Sequence, residues 1–327
     1  MQGRLSIALV LLSAGLPGQT TDQAIQKMIG DISPDRIAGT VKTLAGFQTR
    51  GNNSHGIVSA RRWIADQFHS YSTRLEVSNE TGDVVNIVAV LPGTAQPEKR
   101  IIVSAHYDSI NLTVKTADAP APGADDDASG TAVVLELARV MSQYRFRKTI
   151  VFIAFAGEEI GLVGSTRYAA HAKATGEQIE AVFNNDVVGA NVVGRIHDDI
   201  FGSDDDAPEV DGDTGNLLRI YSPDPPDSPS RRVAREVQDA AKRYVPRMRI
   251  DLVPTADRFG RGGDQMPFQK NGFAAVRLSS ASENTASQHT PRDTVDGVDA
   301  AFAANVARVN GAAIASLAGP EKADRKK

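Results

Sequence analysis

Short, almost uninterrupted apolar runs alternate along this chain with longer amphipathic stretches, and that alternation limits the fold more than any other feature. Residues 84–91, 101–105, 150–155, 181–183 and 274–278 are the apolar runs, whereas 131–141, 162–172, 231–244 and 301–317 carry helical spacing. A strand that is apolar on both faces must be covered on both, as strands joined by crossover helices are. Residues 84–91, followed by the turn Pro92-Gly93, are expected to pair as a hairpin with 75–78 at one edge. The expectation is therefore an α/β protein, a single domain whose central mixed, mainly parallel β-sheet is flanked by helices on both faces.

Before the first strand, residues 21–71 read as helical. Ile25, Met28, Ile29 and Ile32, then Ile37, Val41 and Leu44, recur at helical spacing, and Ser33-Pro34 has the form of an N-cap with a first-turn proline. A further helix is expected through Arg61, Trp63, Ile64 and Phe68. Arg4 precedes an apolar run at 5–12 and the small residues Ser13, Ala14 and Gly15, the pattern of a secretory signal peptide over about 1–18. That run is too short to serve as a stable membrane anchor. With no cysteine in the chain, stability after export cannot rest on disulfides. The expected location is outside a bacterial cell membrane, periplasmic or secreted.

The catalytic domain would then span 19–320, with 321–327 as a disordered tail. Within it, 195–229 turns rich in Asp and Pro and reads as an insertion running over the surface. Its acids Asp204, Asp205, Asp206, Asp211 and Asp213 lack the spacing of an EF-hand loop, so a solvated loop is the better reading. A formal net charge of -4 leaves no basic surface for nucleic acid. The sequence carries no signal for an oligomeric state.

Chemistry concentrates at the ends of the apolar runs. His106 and Asp108 follow 101–105, Glu158 and Glu159 follow 150–155, and Asp186 follows 181–183. Asp126 lies in a glycine-flanked loop entering a helix, and His289 in a polar loop after 274–278. In a parallel sheet such residues share the carboxyl edge, where ligands collect. Carboxylates with imidazoles and no thiol are a ligand set for catalytic zinc, since a structural zinc site would normally use cysteine. Adjacent glutamates suggest that one binds metal and the other moves protons. Taken singly, Glu158-Glu159 could be a solvated helix start and His106 a packing histidine; together the residues read as a hydrolase site.

The strings HYDS, GADDDASG, FAGEE, NNDVVG and SQHTPRDT, in this order from His106 to Thr294, resemble those of the zinc-dependent exopeptidase family containing the bacterial di-zinc aminopeptidases. The resemblance covers the chain from about Arg50 onward. It implies two zinc ions per chain: His106 and Asp186 on one, Glu159 and His289 on the other, and Asp126 bridging. It implies Glu158 as the general base for an attacking water, Asp108 orienting His106 from behind, and a cis peptide bond between Asp126 and Asp127. The implied activity is removal of N-terminal residues from peptides with a free N-terminus. The chain departs from the family pattern at Gln265, where relatives often have histidine, and at Gln288, where well-studied relatives have an oxyanion-stabilising tyrosine. Gln288, Arg258, Arg261 and Arg277 are thus the substitutes expected to contact substrate. The competing readings are a single-zinc glutaminyl cyclase, a carboxypeptidase, and a non-catalytic binding module on the same scaffold.

Overall fold

The computed structural model describes residues 21–321 apart from 81, 115, 191–214, 224, 259–260 and 282. The expected signal peptide, the aspartates from 204 to 213 and tail residues 322–327 lie outside the described residues. Helices α1 (Thr21–Gly30), α2 (Pro34–Ala45) and α3 (His55–Tyr71) come first. Ser33 caps α2 as expected, its side chain accepting the Arg36 N–H with Pro34 in the first turn. Ser54 caps α3 in the same way through Ile57.

The strands are β1 (Glu76–Asn79), β2 (Ile87–Leu91), β3 (Gln96–His106), β4 (Lys148–Phe155), β5 (Gln178–Asn185), β6 (Leu217–Tyr221), β7 (Arg249–Val253) and β8 (Ala275–Ser280). They form one sheet in the order β1-β2-β4-β3-β5-β8-β6-β7. The central four, β4-β3-β5-β8, are mutually parallel, and the expected hairpin edge is present with β1 antiparallel to β2. Helices α4 (Ala128–Met141), α5 (Val163–Thr175), α6 (Pro229–Tyr244), α7 (Gln265–Lys270) and α8 (Ala300–Ala318) complete the fold.

Alternation within the strands explains why they are apolar throughout. Ile101, Val103 and Ala105 of β3 join a large core with residues of α1, α2, α3, α4, α6 and α8, whereas Ile102 faces the other way, into a smaller core with Tyr168 of α5 and Phe268 of α7. The expected α/β architecture is thus the observed one. Part of the expected surface insertion is not at the surface. Residues 217–221 form β6, whose Leu217, Leu218, Ile220 and Tyr221 are buried beside β8. Once placed between β8 and β7, this segment has apolar surface to bury on both faces, and its Asp- and Pro-rich flanks do not prevent that. No helix among the described residues is long and apolar enough to cross a membrane.

Candidate metal centre

Because β3, β4 and β5 run parallel, they deliver their ends to one edge. His106 is the last residue of β3; Glu158 and Glu159 follow β4 through Gly157, whose φ of 73° suits glycine; Asp186 follows β5 directly. The loop carrying Asp125, Asp126 and Asp127 leads into α4, where a side chain at Gly130 would collide with the Asn185 carbonyl and the Asp127 carboxylate. The Asp126-Asp127 peptide bond is cis.

Asp126 lies between two imidazoles. Its Oδ1 is 3.2 Å from His106 Nε2 and its Oδ2 is 3.1 Å from His289 Nε2, while Glu159 Oε2 is also 3.1 Å from His289 Nε2. Two ligand atoms on a tetrahedral zinc, each roughly 2.0–2.1 Å from it, stand about 3.3 Å apart, so this spacing suits a shared cation. His106, Asp126 and Glu159 present ligand atoms within 4.8 Å of one another, and so do His106, Glu158 and Asp186. Glu159 Oε1 is buried without a hydrogen-bond partner. All five expected ligands and Glu158 therefore meet at one point, and the donor set fits divalent zinc.

The protonation of these groups points the same way. Burial, reinforced by neighbouring acids, lifts Glu158 well above the usual carboxylate range and Glu159 to about 7. Burial would also raise Asp126, but the two imidazoles outweigh it and hold that carboxyl well below its ordinary value. Burial alone would lower His289, yet Asp126 and Glu159 lift it to about 10. So many buried acids converging on two imidazoles call for further positive charge.

On the β3–β4 side the supports are mostly backbone amides. Asp108 accepts the N–H groups of Glu158 at 3.3 Å and Glu159 at 3.2 Å. Its carboxylate is 3.6 Å from His106 Nδ1, which is 3.2 Å from the Asp108 carbonyl oxygen. Asp108 therefore fixes the glutamate turn as well as the histidine it was expected to orient. Asp127 accepts from the His106, Gly130 and Val187 amides, and Asp125 from that of Gly189. Asp293 accepts from the Asp125 and Asp126 amides at 2.8 and 3.0 Å. Arg50, fully buried, donates to the carbonyls of Tyr107, Leu44, Pro122 and Gly123 and so secures the loop before the aspartates.

The β5–β8 side is held by ion pairs, and these include the residues expected to contact substrate. Arg277 is buried, with Nη2 3.1 Å from Asp186 Oδ1 and Nη1 2.6 Å from Asp257 Oδ1. It is thus paired with a candidate metal ligand and with Asp257. Arg258 pairs with Glu283, while Gln288 accepts from Arg261 at 2.9 Å and donates to Glu283 at 3.2 Å. The four residues expected to contact substrate form one network with Asp257 and Glu283. Gln265 belongs to it, donating to Asp257 at 3.2 Å and accepting from Asn184 at 3.3 Å. Beside it Asp264 is wholly buried, and burial, opposed by His106 and Ser165, raises it to about 7. No site role follows from the sequence for Asp257, Asp264, Glu283, Asp293 or Arg50. The available signal was charge inside otherwise apolar or glycine-rich segments.

Comparison with known proteins agrees with this geometry. The model of Peptidase family M28 matches residues 86–314. A probable zinc metalloprotease of the fungus Pyrenophora teres f. teres is 33% identical over 338 residues, covering 92% of this chain and 70% of the relative. That fungal kinship runs against the bacterial origin expected from the sequence, and the expectation is withdrawn. Among solved structures, the LapA aminopeptidase of Legionella pneumophila superposes with a TM-score of 0.72 at 20% identity, covering 94% of this chain and 78% of that one. A glutaminyl cyclase of Bacteroides thetaiotaomicron gives 0.66 at 18% identity, covering 87% and 98%. At these identities the two structures establish a shared fold.

Proposed function

The chain belongs to peptidase family M28, a family of zinc metallopeptidases, and from that premise we propose that it is an exported di-zinc aminopeptidase. The observation that carries this reading is the Asp126 carboxylate, whose two oxygens each face a different imidazole. A carboxylate so placed would serve two cation positions at once, and His106 with Asp186 would complete one while His289 with Glu159 would complete the other. When bound, the zinc pair would polarise the scissile carbonyl and lower the pKa of the attacking water.

The protein's own part is positioning and proton transfer. Glu158, beside the His106–Asp186 side, takes the proton of the water and passes it to the leaving amine. Asp108 holds the Glu158 and Glu159 amides, so base and ligand keep a fixed separation. The surrounding carboxylates favour a substrate ammonium through charge-assisted contacts, which restricts cleavage to a free N-terminus. Arg4 and the apolar run at 5–12 support export.

The test is a digest of one peptide in free and N-acetylated forms, followed by mass spectrometry. Stepwise loss of residues from the free form alone is expected. Equal cleavage of both forms, or internal cuts, would reject an aminopeptidase. The cyclase reading predicts loss of ammonia from a peptide that begins with glutamine, seen by the same spectrometry, and one zinc per chain by elemental analysis.

A further inference from the structure

We propose that Arg277, clamped by Asp257, weakens the hold of Asp186 on its cation and makes the His106–Asp186 side the lower-affinity of two zinc positions. The inference rests on the two-zinc reading above. Its basis is an asymmetry between the two terminal carboxylates. Asp186 shares Oδ1 with a guanidinium nitrogen at 3.1 Å, in a site where both side chains are buried. Glu159 makes no ion pair with Lys or Arg among the described residues: Oε2 faces His289, and Oε1 has no partner.

A carboxylate that already neutralises a buried cation has less charge to offer a second one, and low-dielectric surroundings strengthen that competition. Arg277 is in no position to yield. Its other nitrogen is 2.6 Å from Asp257, and Asp257 is fixed in turn by the Gln265 amide and the Arg258 N–H. Orientation does not offset the difference, because Glu159 is also held, through its backbone N–H on Asp108. Gln265 thereby acquires a role as the outermost support of this relay.

The test is zinc titration of the metal-free protein in a metal buffer, read by calorimetry and by bound zinc per chain. Wild type is expected to bind in two separate steps, and Asp186→Asn to lose the weaker step while keeping the tighter one. The neutral pair Arg277→Gln with Asp257→Asn should tighten the weaker step by roughly 10–100-fold, the size of change usual for a residue behind a metal ligand but of opposite sign to the usual loss. A weaker step that weakens further overturns the proposal. Arg277→Lys, which keeps the charge, should restore the gap. Loss of the tighter step in Asp186→Asn overturns the proposal, even if the paired variant fails to fold. Two equal steps in wild type overturn it as well. A wild type that binds a single zinc overturns the two-metal reading itself, which is a different failure.

Discussion

Asp108 and Arg277 stand behind opposite sides of the metal centre, and they support it with different bonds. Asp108, like Asp127 and Asp293, accepts backbone N–H groups, and those amides belong to the turn after β4, the start of α4 and the loop beyond β5. Once the parallel strands are in register, such donors are already in place. Arg277 binds side chain to side chain, across 91 residues to Asp186 and 20 to Asp257, and the network continues through Arg258, Glu283 and Gln288. No part of that is guaranteed by the fold. One side of the site is built by topology and the other by residue identity.

The sharpest break in the comparison comes from a residue that supports neither side. Glu158→Gln should lower kcat by roughly 10²–10⁴-fold, the range for loss of a general acid–base. Zinc content by elemental analysis should be unchanged, because Glu159, which faces His289, is the proposed ligand and Glu158 the proposed base. Loss of zinc from this variant would exchange the roles of the two glutamates.

The contrast itself is tested by removing one support from each side. Arg277→Ala leaves Asp186 and Asp257 buried without their common partner, and breaking a buried ion pair in this way costs about 3–5 kcal/mol. Asp108→Asn keeps one accepting oxygen and turns the other end of the group into a donor facing an N–H. That should cost roughly 1–3 kcal/mol in stability, with activity or zinc affinity down about 10–100-fold. Chemical denaturation of both variants, with zinc removed by a chelator so that binding does not add to stability, measures the difference. A larger stability loss at Asp108 than at Arg277 would remove the distinction between the two sides.

The same distinction accounts for what was legible in the sequence. What topology places sits immediately after apolar runs, so His106, Glu158, Glu159 and Asp186 could all be put on one edge from strand pattern alone, whereas the ion pairs behind Asp186 could not. The hairpin edge and the capped helix α2 were legible because turn and cap residues act locally. β6 was not, because its five residues follow an Asp- and Pro-rich stretch and find their partners only in β8 and β7. β7 is short and half-buried, with little periodicity to read. The ion pairs of Arg277 were not legible, because an arginine near a catalytic motif suggests an oxyanion contact. Its place inside the buried strand β8 was the better signal, since a charge there must meet an acid.

The smallest effect expected is a pH slope that separates the two sides in chelated protein. A carboxyl whose pKa is raised by folding adds stability below its unfolded value and loses it as pH rises through the folded value. Glu159 and Asp264, raised from 4.5 and 3.8 to about 7, and Asp293, raised from 3.8 to about 6, all behave so. His289, raised from 6.5 to about 10, loses its contribution over a higher window in the same direction. Asp257 is the opposite case. Burial would raise it, but Arg277 and Arg258 depress it below 3.8, so its contribution is intact above that pH and fades only in stronger acid. The melting temperature of chelated protein should therefore fall between about pH 4 and 7, and Asp264→Asn should make the fall shallower. Zinc at a hundred times its dissociation constant adds about 2.7 kcal/mol. Since bound cations favour the ionised acids, zinc-loaded protein should melt several degrees higher at pH 7 and show little of the slope. A chelated protein that gains stability from pH 4 to 7 would mean that its acids are already paired without metal, as those around Arg277 are.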